Sequence, residues 1–178
     1  MKGVVFTEFL DLVEDKFGYE MVDRIIVESE LSSSGAYTAV GTYPFAEMVK
    51  LLGRLSHNTN IPIDQLLYLY GKHFFSLWLK SYPHFIEQVD NAFQLFESID
   101  HYIHIEVQKL YPNAELPHFD SHQLNEYQLE MIYTSQRKMA DFAQGLIESS
   151  MAHYGQKGTI EKTILNPEGT KVSYLVTI

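Results

Sequence analysis

Tyr127-Gln128-Leu129-Glu130-Met131-Ile132-Tyr133-Thr134-Ser135-Gln136-Arg137 is where the sequence changes its period. Every second residue from Tyr127 to Tyr133 is large and apolar, the spacing of a half-buried strand. Upstream the apolar spacing is helical. Phe6, Phe9, Leu10, Val13 and Phe17 form one stripe, with Gly18 as a stop. Met21, Val22, Ile25 and Ile26 continue as a short second helix, and a loop follows from Leu31 to Gly35. Pro44 opens a helix striped by Phe45, Met48, Val49, Leu52 and Leu55. Pro62 to Ser81 is apolar nearly all round, which predicts an interior helix. Gly71 in its middle costs about 1 kcal/mol relative to Ala, so a packing or hinge role is expected there. A long helix is predicted from about Ala92 to Tyr111, striped by Phe93, Phe96, Ile99, Ile103, Val107 and Leu110 and ended by Pro112.

Downstream, Lys138 to Tyr154 is again helical, with Gly155 as its stop. Ile160, Lys162 and Ile164 lead into the turn Asn166-Pro167-Glu168-Gly169, and Val172, Tyr174, Val176 and Ile178 then alternate. The predicted architecture is α+β in a single domain over residues 1–178. A helical lobe (about 1–60) is followed by a lobe (about 61–178) with a small antiparallel sheet and helices.

Composition narrows the function. The net charge of -10 repels phosphate backbones, so nonspecific nucleic-acid binding is disfavoured and no nucleic acid is expected as a partner. The absence of cysteine excludes disulfides, thiolate metal sites, a Cys nucleophile and covalent c-type heme. The first residues carry Glu8 and Asp11 and lack a signal-peptide core, and Leu66 to Leu79 is too short and too interrupted to span a bilayer. A soluble cytoplasmic protein with no membrane partner is therefore expected. Aromatic residues make up 13% of the chain, which suits either an ordinary core or a flat hydrophobic ligand.

Two groups of residues carry candidate chemistry. His101 and His104 lie three apart on the long predicted helix. At about 100° per residue His104 sits about 60° from Val107, beside Phe93 and Tyr111, while His101 turns toward solvent. His104 is thus either a hydrogen-bonded core histidine or a ligand. A weaker reading joins these two with His118 or His122, another pair at helical spacing, around a non-heme metal. The second group is Tyr133, Ser135 and Arg137, which in an extended chain share a face at about 6.6 to 6.8 Å intervals. Two hydroxyls and a guanidinium in a row suit the carboxylates of a ligand, with Arg137 as a bidentate fork. The alternative is a strand end that turns its polar side to water.

The two groups together resemble the heme-nitric oxide/oxygen binding (H-NOX) family over essentially the whole chain. The sequence opens Met1-Lys2-Gly3 and carries Ile103-His104 and Leu116-Pro117. It continues Tyr133-x-Ser135-x-Arg137-Lys138, then Gly145-Leu146-Ile147-Glu148 and the closing strands. The resemblance implies a noncovalent heme b buried between the two lobes. In that frame His104 is the axial metal ligand, and Tyr133, Ser135 and Arg137 clamp the propionates. Pro117 presses on the porphyrin, and distortion of the macrocycle is one lever on heme potential. Val5, Phe9, Phe74, Trp78 and Phe142 are implied as pocket residues.

Oxygen-binding members of the family carry a tyrosine five residues after the clamp arginine, and here that position is Phe142. Phe9 and Phe74 replace the supporting polar network. Bound oxygen needs a hydrogen-bond donor worth about 1 to 3 kcal/mol in a buried site, although Tyr70 is a candidate donor elsewhere. The resemblance therefore implies a sensor of nitric oxide, with CO as a weaker ligand and no stable oxygen complex. It implies that NO weakens the iron–His104 bond, releases the helix and relaxes the porphyrin against Pro117, with Gly71 as a candidate hinge. No catalytic motif is present, so the chain is read as a sensor that is not an enzyme. Its expected partner is a histidine kinase, or a diguanylate cyclase or phosphodiesterase, as for stand-alone bacterial members. The competing classes are a heme enzyme reacting with NO or peroxide and a cofactor-free interaction module.

Overall fold

The computed structural model describes residues 1–178. The chain divides into two compact units, Met1–Tyr70 and Gly71–Ile178.

The first unit contains α1 (Gly3–Phe17), α2 (Tyr19–Ser29), α3 (Phe45–Thr59) and the first turns of α4 (Ile63–Ser81). The stripes behave largely as their spacing predicts: Phe6, Phe9, Leu12 and Val13 of α1, Val22 and Ile25 of α2, and Met48, Leu51, Leu52 and Leu55 of α3 are buried. Val49 is the departure, at 51% exposed, because it lies nearly opposite Leu51, at the outer edge of the arc that Met48, Leu51, Leu52 and Leu55 bury. Gly3 has a packing reason. A Cβ there would come within 1.8 Å of the Thr38 carbonyl oxygen, since the loop before α3 pairs with the chain start through Gly3 N–H to Gly41 and Val4 N–H to Ala39.

One buried anion organises the loop between α2 and α3. Glu47 is 4% exposed. Its carboxylate accepts from the hydroxyls of Ser32, Ser33 (2.6 Å) and Tyr37 (2.7 Å) and from the Ser33 N–H (3.1 Å). Burial alone would raise its pKa, but these donors outweigh that and bring it down to about 2.

The second unit holds the rest of α4, a 3₁₀ turn at Pro83–Phe85, α5 (Ala92–Ser98), a π-helical turn (Ile99–Ile103), α6 (His104–Leu110), β1 (His118–Asn125), β2 (Gln128–Thr134), α7 (Ala140–His153), β3 (Thr159–Ile164) and β4 (Lys171–Thr177). The strands form one antiparallel sheet in the order β1-β2-β4-β3. Tyr133 pairs with Val172, Met131 with Tyr174 and Leu129 with Val176. These six residues are buried on one face, against Ala92, Phe93 and Phe96 of α5 and Ala140, Ala143, Ile147 and Met151 of α7. The turn Asn166-Pro167-Glu168-Gly169 closes as its composition predicts, with Gly169 N–H on the Asn166 carbonyl (3.1 Å) and φ +70° at Gly169. A second cluster, Phe75, Phe85, Ile86, Leu95 and Ile103, gathers Trp78, Tyr102 and Val107 around it.

Three expectations change. The helix predicted over Ala92 to Tyr111 is interrupted: the His104 N–H reaches back to the Ile99 carbonyl, one residue farther than in an α-helix. The inserted residue shifts the phase of everything after it, so the angular position assigned to His104 on a regular wheel does not hold. π turns of this kind are rare and cluster at functional sites. Second, His118 and His122 are not on a helix. They lie on one face of β1 with Asp120 between them, where His122 Nε2 sits 3.0 Å from Asp120. This strand escaped detection because it is an edge, mostly exposed on both faces, so it lacks apolar alternation. Third, α4 is not interior all round, as Leu69 is 44% exposed.

Gly71 has a direct packing role. A Cβ there would stand 2.1 Å from the Phe142 carbonyl oxygen and 3.1 Å from Gly145 Cα, so α4 and α7 touch through their backbones. No helix is long and apolar enough to cross a membrane.

Replacing Glu47 with Ala strips a buried four-donor network of its acceptor, and we expect a loss of about 2–4 kcal/mol. The native carboxylate has a lowered pKa, so its contribution is present above the ordinary carboxylate range and disappears as pH falls toward 2. Urea denaturation from pH 7 down to 3 should therefore show a steeper acid loss for the native chain than for Glu47→Ala.

Candidate functional site

His104 opens α6 directly after the π turn. Its Nδ1 lies 2.8 Å from Asp100 Oδ1, and its side chain is 18% exposed. Burial pushes the imidazole below the usual histidine range, against the opposing pull of Asp100. At neutral pH the ring is therefore neutral. Its Nδ1 side faces a carboxylate, which leaves the Nε2 lone pair as the outward donor. Asp100 Oδ2 accepts the Phe119 N–H (3.1 Å) and also contacts His118 Nδ1.

Tyr133 ends the core face of β2 and is 2% exposed. Its hydroxyl oxygen accepts the Met139 N–H (3.1 Å). Burial raises its pKa, with hydrogen bonds from Ser135 and Met139 and the Arg137 charge opposing. The straight row expected for Tyr133, Ser135 and Arg137 is corrected here, because β2 stops at Thr134 and the chain turns at Gln136-Arg137. The turn still gathers the three. Ser135 Oγ accepts the Arg137 N–H (3.2 Å), and Lys138 adopts φ +54° just beyond. The guanidinium is engaged: Nη1 donates to the Glu115 carbonyl (2.5 Å) and Nη2 to Glu115 Oε2 (2.6 Å). Pro117, half-buried, stands between Glu115 and the start of β1.

Phe119 connects the two groups. Its ring centroid is 6.1 Å from that of His104 and 5.5 Å from that of Tyr133. Asp100, Glu115 and Phe119 were all missed from the sequence. Asp100 had a signal, four residues before His104, but looked like an ordinary polar helix residue.

The apolar residues fall into separate places. Phe74 of α4 and Phe142 of α7 meet edge to face at 5.5 Å. Trp78 stacks on Phe85 at 5.6 Å and lies 6.3 Å from Phe75, within the aromatic cluster. Val5 and Phe9 belong to α1 in the first unit, where Phe9 is fully buried and edge-on to Tyr70 at 5.4 Å. The Tyr70 hydroxyl donates to the Val5 carbonyl (2.5 Å), and burial holds it well above its ordinary pKa.

These residues suit an iron porphyrin. A neutral imidazole backed by a carboxylate is a good axial donor, and the Arg137 fork already grips one carboxylate, that of Glu115. The non-heme metal alternative finds no support in placement: Asp100 meets His104 and His118 through polar contacts, and no group of three or more His, Asp or Glu side chains is arranged to hold a metal ion.

The family model described as Haem-NO-binding matches residues 2–162. Among solved structures, the chain is 46% identical to the unliganded Fe(II) H-NOX protein from K. algicida, covering 99% of this chain and 96% of that one, with a TM-score of 0.95. It is 37% identical to the H-NOX protein from Shewanella woodyi, solved in solution with IWP-051 bound in the Fe(II)CO state, over 99% and 94% of the two chains at a TM-score of 0.84. A more distant likeness is the H-NOX protein from S. oneidensis in the Fe(II)NO state, at 23% identity, 99% and 98% coverage and a TM-score of 0.91. No curated protein matches the chain.

Tyr133→Phe leaves the packing of β2 intact but orphans the buried Met139 N–H. We expect a destabilisation of about 1–3 kcal/mol in chemical denaturation, with an unchanged far-UV spectrum.

Proposed function

The chain belongs to the H-NOX family of heme-based gas sensors, and from that premise we propose that it senses nitric oxide at a noncovalent ferrous heme b, with His104 as the metal ligand. The observation that carries this reading is the neutral His104 imidazole with Asp100 at its Nδ1 and Nε2 left to donate. Held by His104 and the propionate-binding residues, a heme would supply an iron atom able to take a diatomic gas.

The chain's own residues do the rest. Tyr133, Ser135 and Arg137, gathered by the turn after β2, offer hydroxyls and a guanidinium to the propionates. Pro117 and Trp78 are assigned to the pocket by the family resemblance. Phe74 and Phe142 pair ring on ring and carry no hydrogen-bond donor. Phe9 offers none either, and the Tyr70 hydroxyl is spent on the Val5 carbonyl. Such a lining withholds the donor that oxygen needs and leaves NO and CO as ligands. His104 opens α6 directly after the π turn, so a change in what its imidazole binds would act on an irregular segment, where a two-state shift could be transmitted.

H-NOX domains are sensors rather than enzymes, and we assign the output to a partner protein. By resemblance to stand-alone bacterial members, that protein is a histidine kinase or an enzyme that makes or degrades cyclic-di-GMP, acting in the cytoplasm.

Absorption spectra of the dithionite-reduced protein test the reading directly. The Soret band should move on adding NO or CO, and an air-exposed sample should show no stable oxygen complex. Phe142→Tyr should raise oxygen affinity by about tenfold or more, the value of one buried hydrogen bond. A stable oxygen complex in the native chain would overturn the proposed selectivity, and a protein that stays colourless after hemin is added would overturn the heme reading.

A further inference from the structure

Asp100 stands at the junction of three groups. It sits in the π turn with a side chain 24% exposed. Oδ2 accepts the Phe119 N–H at 3.1 Å and contacts His118 Nδ1, which ties the start of α6 to the first residues of β1. Oδ1 is different. It lies 2.8 Å from His104 Nδ1, yet it is buried and has no satisfied hydrogen bond. A buried carboxylate oxygen left in that state is costly, and a donor that can turn onto it is stabilised there. His104 Nδ1–H needs only a ring rotation to do so.

From this we infer that Asp100 is a positioning residue for the axial histidine, an inference that rests on His104 being the iron ligand. Its Oδ1 selects the Nδ1–H tautomer and orients the ring. A carboxylate behind an imidazole also makes Nε2 a stronger donor to metal. The strength of the iron–His104 bond, and with it the ease with which NO displaces His104, is thus set by a side chain four positions away in an irregular turn. His118 shares the carboxylate through the other oxygen and from an exposed position, 68% accessible. It belongs to the tie between α6 and β1 and does not act on Oδ1.

The rival role for Asp100 is that tie alone, so the test reads the iron–histidine bond as well as stability. Asp100→Asn keeps the shape and an acceptor oxygen but removes the charge. In the ferrous holoprotein we expect a lower iron–histidine stretching frequency by resonance Raman and a higher midpoint potential. The affinity of the iron for His104 should fall about 10–100-fold, seen as a larger fraction of NO complex without the histidine bond. His118→Ala should leave the stretching frequency where it is. An Asp100→Asn protein that loses stability but keeps the native frequency and potential would overturn the inference and leave Asp100 as a tie.

A second measurement needs no variant. Long-range ¹H–¹⁵N spectra of the heme-free native protein should show His104 protonated at Nδ1, and protonation at Nε2 would overturn the assignment. His104→Gly separates this from failure of the functional reading. If its ferrous spectrum matched that of the native protein, ligation by His104 itself would be wrong. A spectrum that depends on His104 but ignores Asp100 would sink only the positioning role.

Discussion

One-sided burial of the four-stranded sheet governs the second unit. Leu129, Met131 and Tyr133 of β2 and Val172, Tyr174 and Val176 of β4 face α5 and α7, and this fixes the register of the central pair. A slip of one residue would turn all six to solvent. At about 25 cal/mol per Å² of apolar surface, six such side chains hold the register by several kcal/mol. Because Tyr133 is both the last core residue of β2 and the first residue of the proposed clamp, core packing fixes where that clamp would lie. Its hydroxyl is pinned from the other side by the Met139 N–H at the entrance to α7. The turn bearing Ser135 and Arg137 is thus held at both ends.

A second constraint places the Phe74–Phe142 pair. Gly71 lets the backbone of α4 approach the Phe142 carbonyl more closely than any side chain allows. Phe74 follows Gly71 by three residues, about one helical turn, so it points to the same side and meets the Phe142 ring. The glycine that helix propensity penalises is therefore what brings the two donor-free rings together. The cost of about 1 kcal/mol purchases the close approach of two helices, which explains a residue that looks misplaced in a long apolar helix.

What could be read from the sequence follows from which residues make their contacts locally. β2, β4 and the turn at Asn166–Gly169 were legible, because alternation and turn chemistry are short-range signals. The helices of the first unit were legible by their stripes, except that the buried arc of α3 runs through Leu51 rather than Val49. β1 was invisible: as an edge strand it buries almost nothing, and only Phe119 among its residues makes ring contacts toward the site. The π turn was invisible as well, since one inserted residue keeps Ile99, Ile103 and Val107 within the tolerance of a helical stripe. Asp100 was hidden with it. The partner of Arg137 lies 22 residues away, and no local pattern announces a contact of that kind.

That last contact changes how the clamp works. Arg137 is 18% exposed while Glu115 is 85% exposed, so the guanidinium is held in place and its present carboxylate is free to swing into water. An exposed carboxylate of this kind contributes about 0–1 kcal/mol. A propionate that takes its place exchanges one ion pair for another, and little affinity arises from the charge itself. The guanidinium still has its bond to the Glu115 carbonyl, and the Arg137 main-chain N–H is held by Ser135 Oγ, so the side chain starts from a fixed backbone and a fixed orientation. In the proposed site Arg137 would therefore contribute mainly orientation, and most of the affinity for a heme would have to come from the His104 imidazole and apolar contacts.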